Sequence, residues 1–126
     1  MIVGRTVVET PVAEKIAALA ALGTPGVIRL EPSISALAAS FGRRALGGWR
    51  NTGNGIGNRA LPPTAGVRAE IIGNQVTVEV ALAVELGRSV PAVAAETQQR
   101  IANALRELGS LTVESVTILV VDVDQP

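Results

Sequence analysis

Apolar residues recur at three- and four-residue steps in two clear stretches of this chain and at two-residue steps in three others. Between Gln75 and Leu86 the alternation is strict. Val76, Val78, Val80, Leu82, Val84 and Leu86 point one way, and Thr77, Glu79, Ala81, Ala83 and Glu85 point the other. That period marks a β-strand with one buried face. Val67 to Ile72 alternates in the same way. Gly73-Asn74 between the two runs predicts a hairpin with a type II′ turn, glycine first. Thr112 to Val123 predicts a further strand. Val116, Ile118 and Val120 share one face, and Thr117, Leu119, Val121 and Val123 share the other. Both faces are largely apolar, as in a strand covered on both sides. Val27 to Leu30 predicts a short strand ended by Pro32.

The helical stretches carry their own boundary signals. In residues 10–23, TPVAEKIAALAALG, Thr10 is placed as N-cap and Pro11 as the first helical residue, where its missing N–H costs nothing. Val12, Ile16, Leu19 and Ala20 form the expected buried stripe, and Gly23 the left-handed stop. Glu9 and Glu14 are expected to favour the dipole at that helix N-terminus. From Ser89 to Leu108 a second helix is expected. Ser89 is its N-cap, Val90, Ala94, Thr97, Ile101, Leu105 and Leu108 its inward stripe, and Gly109 its stop. A weaker helix is expected over Ser33 to Leu46, with Ile34, Leu37, Ala38 and Phe41 aligned and Gly42 interrupting. The order predicts an α+β fold, a two-layer sandwich. A mixed sheet of about four strands carries two long helices on one face, and the last helix carries a right-handed crossover.

Length and composition keep this to one expected domain, residues 1–126, with a flexible loop at 47–66. Aromatic residues are 2% of the chain, so the core is expected to be aliphatic. There is no run of about 18 apolar residues to span a bilayer. Cysteine and histidine are both absent, which removes thiolate chemistry, Ser-His-Asp and Cys-His triads, and zinc sites with those ligands. Glu79 and Glu85 share a strand face but lie six residues apart, about 20 Å at strand rise, too far to work as an acid–base pair. No catalytic, metal-binding or cofactor-binding residues are expected, and the chain is read as a non-enzyme of cytoplasmic setting.

Two glycine motifs fail their structural requirements. GNGIG at 53–57 has no strand before it and no helix after it, so no helix N-terminus meets a phosphate. GTPG at 23–26 resembles the GxxG of KH domains. Here it joins a helix to a strand and carries no basic residue, so it reads as a stop and a turn.

Charge is balanced overall but divided. Residues 1–63 carry seven basic and three acidic side chains, a surplus of four positive charges that the remainder cancels. A basic half and an acidic half can draw copies of one chain together. Arg43, Arg44, Trp49, Arg50 and Arg59 form a basic stretch with a single stacking ring, a candidate docking arm. Nucleic-acid binding through the 43–68 segment is the alternative function, although one ring makes a poor platform. Ala81 and Ala83, with Leu119 and Val121, are expected on the sheet face away from the helices. That face is either an open apolar surface for a partner or is covered by segment 33–66.

The segment GRTVVETPVAEKIAALAALGTPGV resembles the N-terminal signature of the bacterial alkaline-shock, or envelope stress response, protein family, through Lys15-Ile16-Ala17 and Pro25-Gly26-Val27. Gly42-Arg43-Arg44 is similar to the family's glycine-lysine segment, and Gly66-Val67-Arg68-Ala69-Glu70 to its entry into the central hairpin. Glu85-Leu86-Gly87 followed by Val90 resembles its turn into the last helix, and Val116 to Val120 its closing strand. Leu86 stands where an aromatic is common, and the glycine-asparagine stretch is longer than the family's. The resemblance implies a cytoplasmic, non-enzymatic scaffold of the envelope stress response. Because some members of that family assemble with themselves and gather beneath the membrane through a small membrane-anchored partner, the resemblance also implies a homo-oligomer and such a partner.

Overall fold

The computed structural model describes residues 3–32 and 65–126. The expected helix over 33–46, and the 47–66 stretch up to residue 64, lie outside the described residues. Helix α1 spans Thr10–Leu22, strand β1 Val27–Leu30, β2 Val67–Ile72, β3 Gln75–Glu85, helix α2 Val90–Gly109 and β4 Thr112–Asp124. The fold is the α+β sandwich that the residue pattern predicts, with both helices on one face of a mixed four-stranded sheet.

Strand β3 organises the sheet. β2 pairs antiparallel with its first half, from Ile72 opposite Gln75 to Val67 opposite Val80. β1 pairs antiparallel with its second half, where Leu30 faces Leu82. β1 and β2 therefore lie end to end along one edge of β3. The chain leaves that edge after Glu31, whose N–H donates to the Ala81 carbonyl, and returns at Gly66, whose carbonyl accepts from the Ala81 N–H. Along the opposite edge of β3 runs β4, parallel to it, as the connection through α2 requires.

The hairpin forms as expected. Gly73 takes a φ of 65°, the first position of a type II′ turn. Val76, Val78, Val80, Leu82 and Val84 are fully buried beneath the helices. Helix α2 also starts as expected, since the Ser89 hydroxyl accepts from the Ala92 N–H at 3.3 Å. Thr97, Ile101 and Leu105 are buried at zero exposure, but Val93 rather than Ala94 completes the stripe, and Leu108 is 74% exposed. The helix runs through Gly109. Ser110, at φ 53°, takes the left-handed conformation expected of Gly109, which instead packs against Leu111 and Ile16.

Helix α1 departs further from expectation. Its N-cap is Glu9, without a side-chain capping bond, and Gly23 remains right-handed at φ −80°. Gly26 makes the left-handed turn instead, at φ 95°. The buried face is Ala13, Ala17, Ala18 and Ala21, not the bulkier stripe. Val12 and Leu19 are 50% and 63% exposed. The reason is distance. Alanines let the helix axis lie close to both α2 and the sheet, and that approach leaves no room there for leucine or valine. Glu14 also has another task, since its Oε2 accepts from the Ala69 N–H at 3.1 Å, on the edge of β2 away from β3.

Among the described residues, strand β4 is covered on its helix side. Val113, Val116, Ile118 and Val120 lean half-buried on the core. Two register shifts interrupt its alternation, and the second leaves Val121 without a partner between Val120 opposite Leu82 and Asp122 opposite Ala83. A bulge of this kind reverses the facing of every residue beyond it. Val123 therefore stands opposite Val84 on the helix side, and Asp122 takes the outer face that strict alternation assigns to Val121 and Val123.

Candidate interaction surface

The outer face of the sheet is built in rows across three strands. Arg68, Glu79 and Thr117 make one row. Arg29, Ala83 and Asp122 make another. Between them lies Ala81, beside Leu119 and below the point where the chain departs at Glu31 and returns at Gly66. The return is tight. Gly66 has a φ of 92°, and a Cβ placed there would lie 2.8 Å from the Glu31 carbonyl oxygen.

Ala81 and Ala83 are 1% and 0% exposed, so these two residues offer no open apolar surface. Alanine side chains on a central strand sit below the longer side chains on either flank. Above Ala83 the Arg29 guanidinium crosses from β1 to β4, with Nη2 at 3.2 Å from Asp122 and 3.3 Å from Asp124, while its Nε donates to Glu31. The hydrogen bond to Glu31 is the largest influence holding the Arg29 pKa above its ordinary value. Desolvation opposes it, and the charges of Glu31 and Asp124 add to it. This end of the face is therefore an ionic strap and not an apolar one. Leu119 is half-buried, and Val121, at the bulge, is 42% exposed. Arg43, Arg44, Trp49, Arg50 and Arg59 lie outside the described residues, so the structure brings together only the four strand residues of the expected surface.

Between Arg68, Glu70, Thr77, Glu79 and Thr117 the outer face has an open depression of about 500 Å³. Its lining mixes these charged and polar side chains with Ala69 and Val78. Among the described residues no group of three or more His, Cys, Asp or Glu side chains is placed to hold a metal ion. No helix among them is long and apolar enough to cross a membrane.

Among the described residues, several exposed apolar side chains cluster on the helix layer. Val12, Leu19 and Leu22 of α1 are 50%, 63% and 47% exposed, and Ile16 between them is half-buried. Residues 12, 16 and 19 fall on one side of a helix. Nearby, Gly109 of α2 lies against Ile16, and its neighbour Leu108 is exposed. Helical spacing in the sequence identifies this stripe but assigns it to the core. The excess of alanine at positions 13, 17, 18 and 21 is the signal that the opposite side is the one that packs.

Solved structures with a loose likeness include a MamM-CTD fragment spanning 215–293, at 13% identity and a TM-score of 0.46, covering 92% of this chain and 98% of that chain. A nickel form of a MamM CTD variant matches at 14% identity and a TM-score of 0.46, covering 89% of this chain and 96% of that one. Neither likeness carries a property over to this chain. Comparison with curated proteins finds no match. Residues 2–125 match the model of the alkaline shock protein 23 family, cell envelope-related function, and the chain belongs to that family of alkaline shock proteins.

Proposed function

We propose that this chain is a non-enzymatic scaffold of the envelope stress response, which self-associates and docks on a small membrane-anchored partner beneath the membrane. The observation that carries the reading is the α1 ridge of Val12, Ile16, Leu19 and Leu22. An apolar stripe at helical spacing, exposed at Val12, Leu19 and Leu22 and rooted on the core through half-buried Ile16, supplies what a partner helix needs in order to pack. The composition agrees: a chain without histidine or cysteine has few means of turnover and many of surface contact. Belonging to a family with a cell envelope-related function supports the setting.

Two measurements test this. Light scattering across protein concentration and salt is expected to give masses above the monomer that fall as salt rises. A strict monomer at every concentration would overturn self-association. In cells, a fluorescent fusion is expected at the membrane periphery, and Leu19→Glu is expected to disperse it while leaving the purified domain folded. Peripheral signal that survives both Leu19→Glu and Val12→Glu would overturn docking through α1, and a wild-type fusion spread evenly through the cell would overturn docking altogether.

A further inference from the structure

Strand β4 ends the sheet with an edge that is open among the described residues, and the two ends of that edge are closed by local devices. At one end Gln98 of α2 donates to the Val116 carbonyl at 3.2 Å. At the other the Val123 N–H donates to the Asp122 carboxylate at 2.9 Å and the Gln125 N–H to Asp124 at 2.8 Å. Backbone groups of alternate residues in a parallel strand point the same way. The N–H and C=O of Ile118 and Val120 therefore share the outward side of the Val116 carbonyl. They form a short rail of backbone donors and acceptors, the template on which another strand adds. The strand that carries it has three acidic residues, Glu114, Asp122 and Asp124, and no basic one.

The same molecule carries a segment of complementary character. Residues 3–9, VGRTVVE, have no regular structure, and Val3 and Val7 are 89% and 67% exposed. Val8 packs against the core and anchors the segment just before α1. Ahead of it, valines and a threonine give the composition of a strand, and Arg5 stands among them exposed. Five residues at about 3.3 Å each reach some 16 Å, enough to line the rail. The arm leaves from α1, which packs on β1 and β2, whereas α2 packs on β4. Arm and rail are thus on opposite flanks of one molecule. The β2 edge on the arm's own flank is partly occupied, because Glu14 holds the Ala69 N–H.

We infer that the arm of residues 3–7 in one copy adds as an edge strand to β4 of a second copy, with Arg5 drawn to the acidic rim of that strand. The contact is heterologous, arm flank to rail flank, so its repetition builds a ring or a filament and not only a dimer. This inference rests on the self-association proposed above and gives it a surface.

The test uses the full chain. Deletion of residues 2–7, and separately Arg5→Glu, are expected to weaken self-association by about tenfold or more, with the circular dichroism spectrum unchanged. Because the chain has no cysteine, single-cysteine variants report only contacts between molecules. Thr6→Cys protein mixed with Thr117→Cys protein is expected to give oxidised heterodimers in excess of either homodimer. Assembly that persists undiminished after the arm is deleted, or a Thr6→Cys protein that cross-links no better to Thr117→Cys than to a distant control such as Gln99→Cys, would overturn the arm-to-edge contact and leave self-association standing. A wild-type protein that is monomeric throughout would remove both.

Discussion

Gly66 shows how a single residue fixes the sheet. It stands where the chain re-enters the edge beside Glu31, at a φ of 92° that a side chain rarely adopts, with backbone oxygen where a Cβ would go. Neither the Glu31 carbonyl nor the Ala81 carbonyl 3.1 Å from that point can move away cheaply, since Ala81 bonds to both sides of the break. Gly66→Ala is expected to destabilise the fold by about 1–3 kcal/mol, read from the midpoint of urea unfolding. Thr97 behaves in the opposite way. Its hydroxyl is buried yet donates to the Val93 carbonyl one turn back at 2.7 Å. The polar group is satisfied within its own helix, which is why a threonine can occupy the centre of the α2 stripe, as its spacing predicts.

At the level of elements, the two helices are legible to different degrees, and the cause is physical. Helix α2 is read from sequence almost to the residue because its polar face and its apolar face differ sharply. Its end lies one step beyond the expected stop because Ser110 bears the strain expected of a glycine. Helix α1 is apolar nearly all round, so periodicity identifies a helix without saying which side packs. The sequence rule prefers large residues inside, whereas the close approach to α2 and the sheet prefers alanine. The bulge at Val121 is likewise invisible in the sequence, because valine alternates as well in register as out of it. The ionic strap of Arg29, Glu31, Asp122 and Asp124 joins positions more than ninety residues apart, and nothing local in the sequence marks it. Two predictions belong here. Ala17→Leu, at a fully buried position, is expected to cost about 1–3 kcal/mol by overpacking, whereas Leu19→Gln on the exposed side is expected to stay within about 0.5 kcal/mol in the same unfolding assay. Ser89→Ala is expected to cost about 1 kcal/mol through loss of the α2 cap.

For the molecule as a whole, the absent residue types bear on how a protein of this family can respond to alkaline conditions. Histidine is the side chain whose ordinary pKa lies between pH 5 and 8, and perturbed cysteines extend that range; this chain has neither. Among the described residues, Arg29 has its pKa held above the ordinary value, first by its hydrogen bond to Glu31. A basic group whose folded-state pKa is raised contributes stability that is fully present below its unfolded value and is lost only as pH climbs through the folded one. For a guanidinium both lie far above any physiological alkaline challenge, so the strap keeps its charge and its contacts. The unfolding midpoint is therefore expected to be flat between about pH 6 and 9, and the proposed self-association to be equally flat there, because the chain holds neither histidine nor cysteine. A midpoint or an association constant that moves steeply across that range would place a pH-sensing group within the chain itself. A flat response places the sensing elsewhere, in a partner or in the control of the protein's amount, as the scaffold role proposed above requires.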